Sequence, residues 1–209
     1  YRSMKIRDLV LFFIFFSLNF LSTMYYGIFL SLAVVISIFM AIRSVVWLKK
    51  FVLVGIPFII IILASLYPYL LFNLENPEVK RTLEESSWRS AHLSDYLIRN
   101  APHDRVLYVG IVPMILALLY LFAKKKHRHW LFFMIIALIS VILSFGPEQY
   151  SIKLPYYYVY KLISLFQSIR VPSRFGIMAI FAFSVVAGLS FYWLIRKLTT
   201  VRLKVMCGS

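Results

Sequence analysis

Apolar residues fill the chain in long blocks separated by short clusters of charge. The first block, Leu9 to Ile42, runs for 34 residues without a charged side chain. As one helix it would reach about 51 Å, against a hydrocarbon core of roughly 30 Å. Basic residues flank it on both ends: Arg2, Lys5 and Arg7 before it, Arg43, Lys49 and Lys50 after it. Two crossings joined by a turn at "STMYYG", residues 22–27, put both basic clusters on one cytoplasmic side. Gly27 permits unusual backbone angles there, and Tyr25 and Tyr26 suit a membrane interface. A single tilted or broken helix is the alternative.

Four further apolar blocks follow, at 51–72, 107–123, 130–145 and 175–195, the first of them with Pro57 as a kink. Counting 9–23 and 26–42 as separate arms, the pattern predicts about six spans, with outer loops at 73–106 and 146–174. The expected fold is all-α: a polytopic transmembrane helix bundle with interfacial or loop helices on its outer face. Residues 1–209 read as one transmembrane domain, expected to be a C-terminal part of a larger protein.

Composition sharpens this. Hydrophobic residues make up 62% and charged residues 15%, and mean hydropathy is +0.84, which is the balance of an integral membrane protein. The net charge of +15 raises nucleic-acid binding, but the cations fall in short clusters between apolar blocks, as topology signals do. Fourteen basic residues fall on the expected inner side with Asp8 alone, and nine fall outside with the other seven acids. Both ends of the chain are therefore expected in the cytoplasm. The cluster "KKKHRH" at 124–129 reads as anchoring of that kind. Cys207, the single cysteine, excludes an internal disulfide and a thiolate metal cluster. No signal peptide is visible.

The polar outer segments carry the candidate chemistry. "NPEVKRTLEES" reads as a helix start, with Asn76 as N-cap, Pro77 in the first position and Glu78 in the first turn. In "SWRSAHLSDYLIRNAPHD", Trp88, Tyr96 and Leu97 offer an apolar face, and His92 and Asp95 share a helix face at three-residue spacing. Trp88, Arg89, His92 and Asp95, with Tyr25 and Tyr26, are the candidates for an outer-loop cleft. His92, Asp95, His103 and Asp104 have ligand chemistry for a divalent cation, but their spacing matches no closed metal signature. They read as solvated or capping residues, so no metal site and no cofactor is assigned.

From Pro155, the segment "YYYVYKLISLFQS" places Lys161, Ser164, Gln167 and Ser168 on a narrow polar stripe. At about 15 residues it suits a helix lying in the outer interface, or equally one packed on the bundle. "SIRVPSRFG" follows. Pro172 ends that helix and disfavours helical geometry at Val171, and the last span starts near Ser173 as N-cap. Arg174 in its first turn opposes the helix dipole unless an anion joins it. Free N–H groups with Arg170 and Arg174, and Lys161 before them, make a site suited to phosphate. The competing explanations are snorkelling to ordinary headgroups and pairing with an outer carboxylate such as Asp95. No ionisable residue lies in the middle of any span, which argues against an ion-coupled transporter.

The order of "LNFLSTMYYGIFLSL", "SAHLSDYL", "YVGIVPMILALL", "SFGP" and "RVPSRFG" resembles a bacterial family of large multi-pass membrane proteins similar to glycosyltransferases of the GT-C class. The resemblance covers nearly all of the chain, and "RVPSRF" is its most specific piece. It implies transfer of a sugar from a polyprenyl-phosphate donor to an acceptor outside the cytoplasm. The family's catalytic acid sits in an early outer loop, and neither Asp95 nor Glu75 is matched to it, so the catalytic residue is unknown. The rival expectations are a non-enzymatic lipid or polysaccharide export component, such as a flippase, and a structural membrane subunit. In each case the partners are membrane lipids, and no nucleic acid.

Overall fold

In a computed structural model the chain is described over residues 5–41, 45–76, 82–100, 107–122, 128–149 and 151–206. The described residues are all-α apart from one two-stranded turn, and the chain divides into two compact units, Tyr1–Arg81 and Thr82–Ser209.

The first unit holds α1 (Ile6–Ser22), α2 (Met24–Ala41) and α3 (Val45–Glu75). The 34-residue apolar run is thus two helices. The break is at Thr23, whose backbone is extended and whose N–H donates to the Asn19 carbonyl at 3.1 Å. Gly27 is not the turn residue: it lies inside α2, where an added Cβ would run into the Phe20 ring. Its role is close approach, not backbone freedom. Leu9, Phe13, Ser17 and Phe20 form one buried stripe on α1 at spacings of four, four and three. Phe13 stacks on Phe58 of α3 with ring centres 5.6 Å apart, and Gly55 makes room for it. Two prolines, Pro57 and Pro68, sit inside α3, each removing one ladder donor. Asn76 follows directly on α3, and the helix expected to start from it falls on residues outside the described ones. Its side-chain amide donates to the Phe72 carbonyl at 2.9 Å and so closes the end of α3. Pro77 and Glu78 lie outside the described residues, as do His103 and Asp104.

The second unit holds α4 (Leu83–Trp88), α5 (Leu93–Leu97), α6 (Ile111–Leu119), α7 (Arg128–Ser144), β1 (Glu148–Gln149), β2 (Ile152–Lys153), α8 (Pro155–Leu162) and α9 (Phe175–Met206). Along α9, Ala179, Ala182, Val186 and Ser190 form a fully buried stripe of small side chains. Such a stripe lets neighbouring helices approach closely, and α6 and α7 pack against α9. Ala117, Tyr120, Trp130 and Val186 make one core cluster, and Ala91, Tyr96, Leu107 and Ala179 make another nearer the start of α9.

Among the described residues two helical stretches are long and apolar enough to cross a membrane, Leu48–Pro68 and Pro172–Thr199, with mean hydropathies of 2.4 and 2.0. This is fewer than the six that the apolar blocks predict. The break at Thr23 leaves α1 with 17 residues, and α7 also has 17, each about 26 Å long. After Leu119, α6 tightens into a 3-10 turn at Tyr120–Phe122, so the fourth block is shorter still.

Candidate functional site

The loop segment 82–100 is stitched between the end of α7 and the start of α9, forming a cap on the second unit. Thr82 is the N-cap of α4, its hydroxyl accepting from the Glu85 N–H at 3.1 Å. On the far side of that short helix the Ser86 hydroxyl donates to the Ile169 carbonyl at 3.4 Å, and the Ser90 hydroxyl donates to Ser86 at 2.8 Å. The Ser173 N–H donates to the Arg89 carbonyl at 3.3 Å, and the Ala91 N–H to the Ser144 carbonyl at 2.8 Å. The Gln149 amide donates to the Ala91 carbonyl at 2.5 Å. In α5, the backbone N–H of His92 donates to the Asp95 carboxylate at 2.8 Å, so the buried Asp95 secures its own helix start. The Tyr96 hydroxyl shares a 2.6 Å hydrogen bond with Ser144 Oγ. Burial pushes the Tyr96 phenol up to about 12, with the bond to Ser144 opposing and the Asp95 charge adding.

Two glycines let these segments close on one another. Gly146 has φ +71°, and a Cβ there would strike Ser90 Oγ. On Gly176 a Cβ would stand 2.5 Å from Leu107 and 2.8 Å from the Tyr96 hydroxyl. Thus "SAHLSDYL", "SFGP" and "RVPSRFG", far apart in sequence, meet at one place.

Arg170 and Arg174 are both exposed on this cap. Arg170 Nε donates to Glu85 Oε1 at 2.7 Å, with the two side chains 47% and 30% exposed. The carboxylate that pairs with it is therefore Glu85, while Asp95 is engaged with the His92 backbone. Val171 is non-helical ahead of Pro172, as the proline requires. Ser173 is not an N-cap outside the helix. It is buried in a 3-10 turn, Pro172–Arg174, that leads directly into α9. Phe175 is buried behind it, stacked on Phe166 with ring centres 5.9 Å apart.

Lys161 lies on α8, where the expected 15-residue helix is divided in two. α8 ends at Leu162, Ile163 is extended, and a separate 3-10 turn covers Ser164–Ser168. The break lets Tyr156 meet Phe166, ring centres 5.8 Å apart, and direct its hydroxyl at the Phe166 and Ile169 carbonyls. Lys161, Ser164, Gln167 and Ser168 consequently share no single helix face. Of the expected cleft residues, Trp88 is 82% exposed, and His92 is exposed. Tyr25 and Tyr26 lie in α2 of the first unit, against Phe29. Among the described residues there is no group of three or more metal-ligating side chains.

The second unit also carries an open groove of about 390 Å³ that none of these candidates lines. Leu83, Glu84 and Ser87 of α4 form one wall; Pro147, Glu148 and Ser151 of the strand turn, with Tyr157 of α8, form the rest. Ser151 holds the turn in the left-handed region at φ 63°. Lys153 and Lys161 stand 5.0 Å and 4.7 Å from the centre of the Tyr157 ring. A hydrogen bond with Lys161, with the charge of both lysines, lowers the Tyr157 phenol below its ordinary value. The local signal for this wall was Thr82–Glu85, a Thr-x-x-Glu helix start, which the neighbouring Asn-Pro-Glu obscured. Comparison with known protein families, characterised proteins and solved structures finds no match to this chain.

Proposed function

We propose that the chain is the membrane part of a GT-C-like glycosyltransferase that uses a polyprenyl-phosphate-linked sugar on the outer face of a bacterial plasma membrane. The observation that carries the reading is the cap at the N-terminal end of α9. Three of the motifs behind the resemblance converge there, and Arg170 and Arg174 remain exposed on it. Guanidiniums beside a helix start suit the phosphate of a lipid carrier and the charge that builds on it as the sugar departs. Lipid surroundings are supported by the exposed apolar surface of the long helices. Only 11% of the Leu48–Pro68 window and 28% of that in Pro172–Thr199 is buried, unlike the core helix of a water-soluble fold. On this reading α1, α2, α6 and α7 are membrane-embedded too, giving about six spans with both ends of the chain cytoplasmic.

A second reading is a structural or export component without chemistry. The Arg170–Glu85 ion pair and the burial of 171–173 favour it, because both account for "RVPSRF" without a ligand. Native mass spectrometry of the protein from its own membrane, with and without Arg170→Gln and Arg174→Gln, separates the two. A polyprenyl-phosphate species lost in the double variant is the expected result. Retention of bulk phospholipid alone, equal in both proteins, would leave the arginines as interface and packing residues.

A further inference from the structure

We infer that the second unit is fitted to a thin phospholipid bilayer, with a hydrocarbon core of about 25 Å in place of the usual value of roughly 30 Å. The inference rests on the reading that α6, α7 and α9 are membrane-embedded, and it needs nothing from the sugar donor or from the arginines.

Two levels bound these helices. The inner level is a ring of aromatic side chains to which the ends of all three contribute. Tyr120, after α6, meets Trp130 at the start of α7 with ring centres 5.9 Å apart, and Trp193 of α9 at 6.0 Å. Cations lie against the same level. Lys197 Nζ stands 5.2 Å from the centre of the Trp193 ring, and the Arg196 guanidinium 5.1 Å from that of Tyr192, which is 53% exposed. Aromatic rings with long cations folded onto them mark the headgroup depth of a bilayer. The outer level is the cap, where Leu107, Ser144 and Gly176 gather around Tyr96. Around it the cap exposes Trp88, His92 and Arg99, the mixture of a headgroup layer. Between the two levels the outward side chains are apolar: Ile115, Leu118, Leu138, Ile177 and Phe181 are all exposed.

Three segments join the levels, and all three are short. Along α9, Trp193 lies 17 residues beyond Gly176, about 26 Å. Along α7, Ser144 lies 14 residues beyond Trp130, about 21 Å. Leu107 to Tyr120 reaches no more than about 25 Å, even with 107–110 fully extended ahead of the 9-residue α6. Tilt shortens each reach across the bilayer, so about 26 Å is an upper bound on the separation of the levels. A bilayer of ordinary thickness must therefore thin around this unit, or draw the aromatic ring and its cations into hydrocarbon.

The test uses the full chain reconstituted in phosphatidylcholine vesicles whose acyl chains lengthen from myristoleoyl through palmitoleoyl and oleoyl to erucoyl. Unfolding is followed by circular dichroism. The folded-to-unfolded ratio should peak in the two shortest lipids and fall about tenfold by the longest. Depth is read separately, by tryptophan quenching in Trp47→Phe/Trp88→Phe, which keeps Trp130 and Trp193. A nitroxide at the lipid headgroup should quench this variant more than a nitroxide at mid-chain. Greatest stability in oleoyl or longer lipids, or stronger quenching from mid-chain, would overturn the thin-core proposal while leaving the unit in the membrane. No quenching by either lipid would overturn the membrane reading, and this proposal with it.

Discussion

Replacing Gly146 with alanine should destabilise the second unit through two separable effects. The residue sits at φ +71°, where a side chain costs about 1–2 kcal/mol. Its new methyl would also strike Ser90 Oγ, and the Ser90 Cβ lies only 2.7 Å from the same point. Ser90 must move and give up its 2.8 Å bond to the Ser86 carbonyl, at about 1 kcal/mol. With overpacking added, the expected loss is about 3 kcal/mol. Equilibrium unfolding of the full chain in mixed detergent–SDS micelles, followed by tryptophan fluorescence, measures it. Ser90→Gly removes both clashing atoms, so the double variant should recover about 1–3 kcal/mol relative to the sum of the single changes. Gly188→Ala is the control. A Cβ there meets nothing within 4 Å, and the change should stabilise α9 by about 0.5–1 kcal/mol. A Gly146→Ala protein as stable as wild type, or a double variant with no coupling, would refute the packing argument.

Tyr96→Phe should cost about 1 kcal/mol, since it removes the 2.6 Å bond to Ser144 Oγ but leaves that hydroxyl its 2.7 Å bond to the Val141 carbonyl. The same change alters the pH profile. The folded Tyr96 phenol titrates near 12 against 10 unfolded, so its stabilising contribution is intact below pH 10 and is lost as pH rises through 12. Unfolding curves of wild type and Tyr96→Phe should therefore converge between those values. Glu85→Gln should cost less than about 1 kcal/mol, because the pair with Arg170 is partly exposed, and its coupling should fade with salt. If Arg170 holds a lipid phosphate, the same variant should raise phosphate-lipid retention, and Arg170→Gln should lower it; lipid counts by mass spectrometry read both.

The parts legible in the sequence were those set by short-range rules. Pro172 forces Val171 out of the helix, α9 begins at the residue that closes the motif, and Pro155 occupies the first turn of α8. Periodicity failed where tertiary contacts overrode it. The stripe from Lys161 to Ser168 scans as one helix, yet Ile163 is extended so that Tyr156 can reach Phe166 and the Ile169 carbonyl. Hydropathy located the apolar blocks but not their helical lengths, because Thr23 and the 3-10 turn after Leu119 interrupt them. The partner of Arg170 lies 85 residues upstream, and no local rule selects Glu85 over its neighbour Glu84. The groove draws on three separate segments, and it exists only once the strand turn has closed.

α9 has a mechanical consequence. It continues unbroken for 32 residues, about 48 Å, with no proline to act as a hinge. One end is clamped, by the stack of Phe175 on Phe166 and by the seating of Gly176 against Tyr96 and Leu107. The other end carries Arg196, Lys197, Arg202 and Lys204. Such an element is a stiff strut. The clamped end and the cationic end are thereby held at a fixed separation along one axis.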